Sequence, residues 1–285
     1  WNKTLINTAD LALSKIGGKE ALHALVELLK HESHHVRASA IKGLGQLKDK
    51  EAAPPLCDVL LGNWDEAEEN IEAAAKALGQ IGSKDSVRAL TKAISDEGYP
   101  AFKESVSALA SIGGPQAKAA LENSYKTRKV KKGVEGGRKQ FGEELLFLLD
   151  EYYRGWGDEA FDWIFDLYMN HKPRGLEITE QQKYFDKIKD MIISIGDPRA
   201  LDPLLEKINA SSVSISILRL TAGFLEKNAK KIKTDELRKC LKIPKREDVK
   251  YRIDKEYEDY RPYGLLTGKI INFTRMELKR RGAEV

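Results

Sequence analysis

The sequence predicts an all-α fold: a right-handed α-α superhelix of about seven helical hairpins with a C-terminal extension. Three observations carry that reading. Residues 36–61 and the stretch around 71–82 look like one unit written twice, the first helix ending Leu44-Gly45-Gln46-Leu47 and then Leu78-Gly79-Gln80-Ile81. Apolar residues recur in fixed columns along most of the chain. Glu, Lys, Ala and Leu are abundant while alternating Val/Ile/Thr runs are scarce, a helical composition.

The columns are set from the last apolar residue of each first helix: Ile16, Leu47, Ile81, Ile112, Trp156 and Ile195. Three positions earlier stand Leu13, Leu44, Leu78, Leu109, Tyr153 and Ile192, on the same helix face. Nine positions later come Leu25, Leu56, Leu90, Leu121, Phe165 and Leu204, and thirteen later Leu29, Leu60, Ile94, Tyr125, Met169 and Ile208. A glycine follows every anchor except Leu47, where Lys48 stands, as suits a chain leaving a helix through a left-handed residue. No hairpin of this size buries its apolar face alone, so the units must stack.

Anchor spacings of 31, 34, 31, 44 and 39 residues divide the chain. Residues 1–125 read as regular repeats, 126–140 as a basic glycine-containing loop, 141–243 as irregular repeats with insertions, and 244–285 as an extension that caps the array. Within the irregular part, 212–227 and 235–241 read as a degenerate seventh pair. The extension carries Tyr251, Tyr257, Tyr260 and Tyr263, with a helix expected over 269–281.

Val36-Arg37, Ala40, Leu44-Gly45 and Leu47, then Ala74-Ala75, Ala77-Leu78-Gly79 and Ile81-Gly82, then Ile195-Gly196-Asp197 resemble HEAT repeats, in the short variety of the phycobiliprotein lyases. The resemblance covers residues 3–125 clearly and 140–242 loosely. It implies a scaffold whose second helices line a concave binding surface, with His23, Glu27, Arg88 and Lys92 on it. Tetratricopeptide repeats fit less well, since their period is a near-constant 34 residues.

Charge and cysteines narrow the reading further. The net charge is +4 over 285 residues, and no apolar run approaches a membrane span. Residues 126–140, KTRKVKKGVEGGRKQ, hold Lys126, Arg128, Lys129, Lys131, Lys132, Arg138 and Lys139 against Glu135 alone. Its glycines argue for a loop, and its lysines suit an acidic protein partner, nucleic acid or anionic lipid, or simply a solvated run. Asp65, Glu66, Glu68 and Glu69 complement the N-terminus of the helix that follows them. Cys57 and Cys240 lie far apart and read as buried thiols of a reducing compartment.

One stretch of sequence suggests metal chemistry at first sight, in two ways. His31-Glu32-Ser33-His34-His35 spells HExxH, which on a helix aligns two imidazoles for zinc, but it straddles the turn between repeats and is set aside as a metal site. Deoxyhypusine hydroxylase, an iron enzyme with HEAT-like repeats, uses recurring His-Glu pairs; here His31-Glu32 stands alone, so that reading is set aside too. Aromatics gather between Phe147 and Tyr168, and Trp163 and Tyr152 fall outside the columns, which predicts exposed rings.

The chain starts at Trp1 and reads as a fragment of a larger regulator, cytoplasmic and without a cofactor. The function expected is a non-enzymatic interaction scaffold holding a protein partner on its concave surface and basic loop. The binding residues would be Lys126, Arg128, Lys129, Lys131, Lys132, Arg138, Lys139, Trp163, Arg88 and Lys92. A nucleic-acid-binding HEAT protein, similar in outline to alkylpurine DNA glycosylases, is the alternative through the same loop, and a bilin lyase subunit stands behind it.

Overall fold

The structure, a computed structural model, describes residues 15–62, 67–96, 99–127, 137–171, 176, 178–209, 215–243 and 263–285, with side chains except at 137–139, 263 and 264. All regular structure among the described residues is helical. The chain forms two compact units, Trp1–Trp156 and Gly157–Val285.

In the first unit, α1 (Gly18–Leu28), α3 (Ala53–Leu60), α5 (Val87–Ser95) and α7 (Gly114–Thr127) are the second helices of their hairpins. The first helices are α2 (His34–Leu47), α4 (Glu68–Ile81), α6 (Phe102–Ile112) and α8 (Gly137–Trp156). Each first helix packs on the next, α2 on α4, α4 on α6 and α6 on α8. Each second helix packs on the first helix of the following hairpin, α1 on α2, α3 on α4 and α5 on α6. The columns are the reason. Leu44, Leu78 and Leu109 are fully buried in the first layer, and Leu25, Leu56, Leu90 and Leu121 in the second.

Small residues let the first layer close up. A Cβ on Gly79 would stand 3.0 Å from both Cα and Cβ of Ala108, and one on Gly45 would stand 2.9 Å from Ala77 Cβ. Side chains then tie one repeat to the carbonyls of the last. Buried Asn70 donates its amide to His34 O at 3.1 Å, and Ser124 Oγ donates to Ile94 O at 3.2 Å. The second bond reaches the end of a helix, where backbone acceptors lack intrahelical partners.

The α2–α3 and α4–α5 hairpins turn in the same way. Lys48 (φ 55°) and Gly82 (φ 67°) leave the helix left-handed, and a short 3-10 turn follows. Asp49 and Ser83 start those turns by accepting the backbone N–H of Glu51 and Asp85 at 2.9 and 3.3 Å. For Lys48 the conformation costs about 1 kcal/mol that Gly82 escapes. The prolines Pro54 and Pro55 fall in the first turn of α3, where a missing N–H is harmless.

The second unit holds α9 (Phe161–Asn170), α10 (Ile178–Ile195), α11 (Leu201–Asn209), α12 (Ile215–Asn228), α13 (Thr234–Lys239) and α14 (Tyr263–Arg280). α10 packs on α12 and α12 on α14, repeating the layer logic of the first unit. Asn228 donates to Ile193 O at 2.8 Å and Lys231 Nζ to Ile195 O at 3.0 Å. α14 begins six residues before the helix expected at 269, burying Leu266, Ile270, Ile271 and Leu278 while Leu265 and Met276 face solvent. Arg281 anchors its end, donating to Ile232 O at 2.8 Å and to Ala229 O. Glu277 accepts from Arg280 Nη2 at 2.7 Å and Arg281 Nε at 3.0 Å. Those two guanidiniums, Arg280 first, hold its carboxyl at about 2.

The repeat columns fail at two places. The first anchor, Ile16, is 78% exposed. Around Trp156 the buried positions move by one residue: Tyr152, Ile164 and Tyr168 are buried where Tyr153, Phe165 and Met169 are only half-buried. For Ile164 and Tyr168, which follow Trp156 in the chain, the cause is a shorter connector. Five residues separate left-handed Lys48 from Ala53 and Gly82 from Val87, but four separate Gly157 from Phe161. Losing one residue turns the following helix face by about 100°.

Gly79→Ala lowers stability by about 1 kcal/mol, because overpacking against the Ala108 backbone exceeds the helix-propensity gain. Gly268→Ala, a helical position with open space around it, raises stability by about 0.5–1 kcal/mol; thermal melts of both variants check the pair. The Glu277 contribution is complete above the ordinary value of 4.5 and is lost as pH falls toward about 2, since the folded value lies below the unfolded one. Glu277→Gln therefore lowers stability at neutral pH and flattens its loss between about pH 4.5 and 2, as urea titrations across that range will show.

Candidate functional site

The solvent side of the second-helix layer in the first unit follows from the same register that makes its core. Positions two residues either side of the buried Leu25, Leu56, Leu90 and Leu121 point about 200° away. They are His23 and Glu27 on α1, Pro54 and Asp58 on α3, Arg88 and Lys92 on α5, and Ala119 and Asn123 on α7, all exposed. Of the expected binding residues, the structure brings Arg88 and Lys92 together on α5 and places Lys126 exposed in the last turn of α7, the helix that packs on α5.

Arg128, Lys129, Lys131 and Lys132 lie outside the described residues. The loop reading is corrected at both ends: Lys126 and Thr127 close α7, and residues 137–140 form the first turn of α8, which takes in Gly137, Arg138 and Lys139. Phe141, Leu145, Leu148 and Tyr152 are buried at helical spacing, and their common face carries the helix back past the glycine. Cations in a first turn oppose the helix dipole, so local chemistry argued for a loop while tertiary burial made a helix.

The aromatic expectation is corrected as well. Trp163 is 8% exposed, on the inward face of α9. The shortened connector at Gly157 is what turns it inward. Tyr152 is fully buried, and its hydroxyl donates to Glu122 Oε1 at 2.6 Å with Lys118 Nζ 5.9 Å from the ring centre. Neither ring is available to stack on a base. The contact between Tyr152 and Glu122, thirty residues apart in sequence, had no local signal.

The HExxH letters do not make a helix. His31 precedes α2, which starts at His34, and its Nδ1 accepts the Ser33 backbone N–H at 3.0 Å. Arg37 Nη1 then donates to the carbonyls of His31 and Glu32 at 2.8 and 2.9 Å. The segment is a turn built around Arg37, and His31 and His35 are not aligned one helical turn apart.

Two further groups bear on chemistry. Cys57 is half-buried and Cys240 fully so, both as free thiols. Burial raises both, Cys240 to about 11, so neither is a thiolate at neutral pH. In the second unit Arg199 sits between Asp197 and Asp162, at 2.7 and 2.9 Å, with its guanidinium 5.1 Å from the Phe161 ring centre. No helix among the described residues is long and apolar enough to cross a membrane.

Comparison with known proteins agrees with this geometry. The family model for HEAT repeats matches residues 4–71 and 60–132. The chain is 42% identical over 78 residues to deoxyhypusine hydroxylase of Saccharomyces cerevisiae, covering 27% of this chain and 22% of that protein. It is 35% identical over 92 residues to phycocyanobilin lyase subunit alpha of Nostoc sp., covering 29% of this chain and 33% of that one. The chain thus spans a third or less of the length of these relatives.

Proposed function

We propose that the protein, whose residues 4–71 and 60–132 match the family model for HEAT repeats, is a non-enzymatic scaffold that holds a protein partner on the second-helix face of its first unit and on the basic segment 126–140. The observation that supports this reading is the division of labour within each second helix. One side is a buried leucine column, invariant in character from hairpin to hairpin; the other is exposed and changes from His23/Glu27 through Pro54/Asp58 to Arg88/Lys92 and Ala119/Asn123. A side under no packing constraint that varies in charge from repeat to repeat is what a recognition surface needs.

The two relatives are named for enzymes, but each shared stretch has the length of two or three repeats. A stretch of that size carries architecture, and activity lives in sites added to it. A nucleic-acid partner on the same basic segment is the competing occupant.

Affinity capture separates the two. Wild-type chain should retain protein partners from a cell extract, and both Arg88→Glu/Lys92→Glu and a variant with Lys126, Arg128, Lys129, Lys131, Lys132, Arg138 and Lys139 changed to Ser should lose them. Retention of DNA that falls steeply with salt and disappears in the Ser variant, with no protein retained, would contradict the scaffold reading.

A further inference from the structure

We propose that Lys84, Arg88 and Lys92 form a seat for an acidic helix of a protein partner, laid along α5. The inference rests on the scaffold reading above and gives its partner a chemistry. Lys84 lies in the 3-10 turn that runs into α5, Arg88 in the first turn of α5 and Lys92 near its end, all exposed. Arg88 and Lys92 stand one helical turn apart, about 6 Å along α5, and Lys84 precedes Arg88 by four residues in the 3-10 lead-in, so the three follow one another along this element.

Like charges at this spacing weaken the helix that bears them, and among the described residues their acidic neighbours along the chain, Asp85 and Asp96, pair with none of them. None of the three makes an ion pair among the described residues. Asp85, next to Lys84, makes none with Arg88 either. Some exposed cations elsewhere are paired, Lys30 with Glu27 at 2.9 Å, Lys239 with Asp202 at 2.7 Å and Arg238 with Asp235 at 2.9 Å, and others such as Lys42 are not; what sets these three apart is that they follow one another along one element. On the α7 side the row meets Ala119, Asn123 and the cation Lys126, while Glu122 is committed to the Tyr152 hydroxyl. Thr91 and Ser95 bond back to Val87 O and Thr91 O within α5.

Complementarity selects the occupant. A helix with carboxylates at every fourth position repeats its charges at the same interval as the row and meets all three cations when it lies along α5. A polyanionic strand crossing the layer would instead run onto Asp58 of α3 and Glu27 of α1, both exposed. The row therefore favours an acidic helix over a nucleic-acid backbone.

The test uses the full chain and three labelled probes read by fluorescence anisotropy at low salt. The probes are an alanine-rich helical peptide with glutamates at every fourth position, a peptide of the same composition with its glutamates contiguous, and an oligothymidine of equal charge. The patterned peptide binds wild type most tightly. Lys84→Glu/Arg88→Glu/Lys92→Glu weakens it about tenfold or more. Lys42→Glu/Lys230→Glu/Lys279→Glu, the same change of charge on other surfaces, weakens it less than about threefold. Equal affinity for the two peptides, tighter binding of oligothymidine, or equal losses in the two variants would overturn the proposal.

Arg88→Gln guards against a folding artefact. It melts no lower than wild type, because it relieves repulsion, and still weakens the patterned peptide. A lower melting temperature would make the row structural and would also overturn the proposal. Failure of the peptide test with protein capture intact removes this seat and leaves the scaffold reading; absence of protein capture with peptide binding intact removes the scaffold reading and, with it, the seat's role in holding a protein partner.

Discussion

Each hairpin of this protein has one apolar side and too little chain to cover it. Every leucine of the second-helix column, from Leu25 through Leu56 and Leu90 to Leu121, is fully buried. Each contributes about 1.5–3 kcal/mol only because a neighbouring hairpin closes over it. The backbone obeys the same rule, since Asn70 and Ser124 in the first unit, and Asn228 and Lys231 in the second, satisfy carbonyls of the preceding repeat. Stability is therefore a property of interfaces between repeats, and a lone repeat has little of it.

That constraint explains which parts of the structure the sequence disclosed. Leu44, Leu78 and Leu109 were legible because a position that must be buried in every repeat returns at a fixed interval. The slip around Trp156 was not. It depends on a connector one residue shorter, and a column of apolar letters reads the same in either register when Tyr152 and Tyr153, or Ile164 and Phe165, stand side by side. Trp163 was misplaced for that reason alone. Gly137 and Arg138 were read as loop from local chemistry, and the buried face of α8 overrode it. The bonds of Arg281 to Ala229 and Ile232 span 52 and 49 residues, and no local pattern announces such a contact.

The exposed side of the layer was only half legible. The resemblance to HEAT repeats implies Arg88 and Lys92 on it, whereas Lys126, expected in the basic loop, joins it only because α7 runs on to Thr127. That Lys84 continues their row, with no carboxylate set against it, needed the 3-10 turn that leads into α5. The relatives match the chain in sequence over a third or less of their length. Two unlike chemistries among them fit a scaffold whose core is repeated and whose surface is free to change.

The measurement that tests the account most directly is native-state hydrogen exchange on Leu109→Ala. If stability resides in neighbouring interfaces, exchange accelerates most in α6 and in α4, α5, α7 and α8, which pack on α6 or on its partners, and least in α1 at the far end of the unit. Equal acceleration in every helix of the first unit, or acceleration confined to α6, would contradict it.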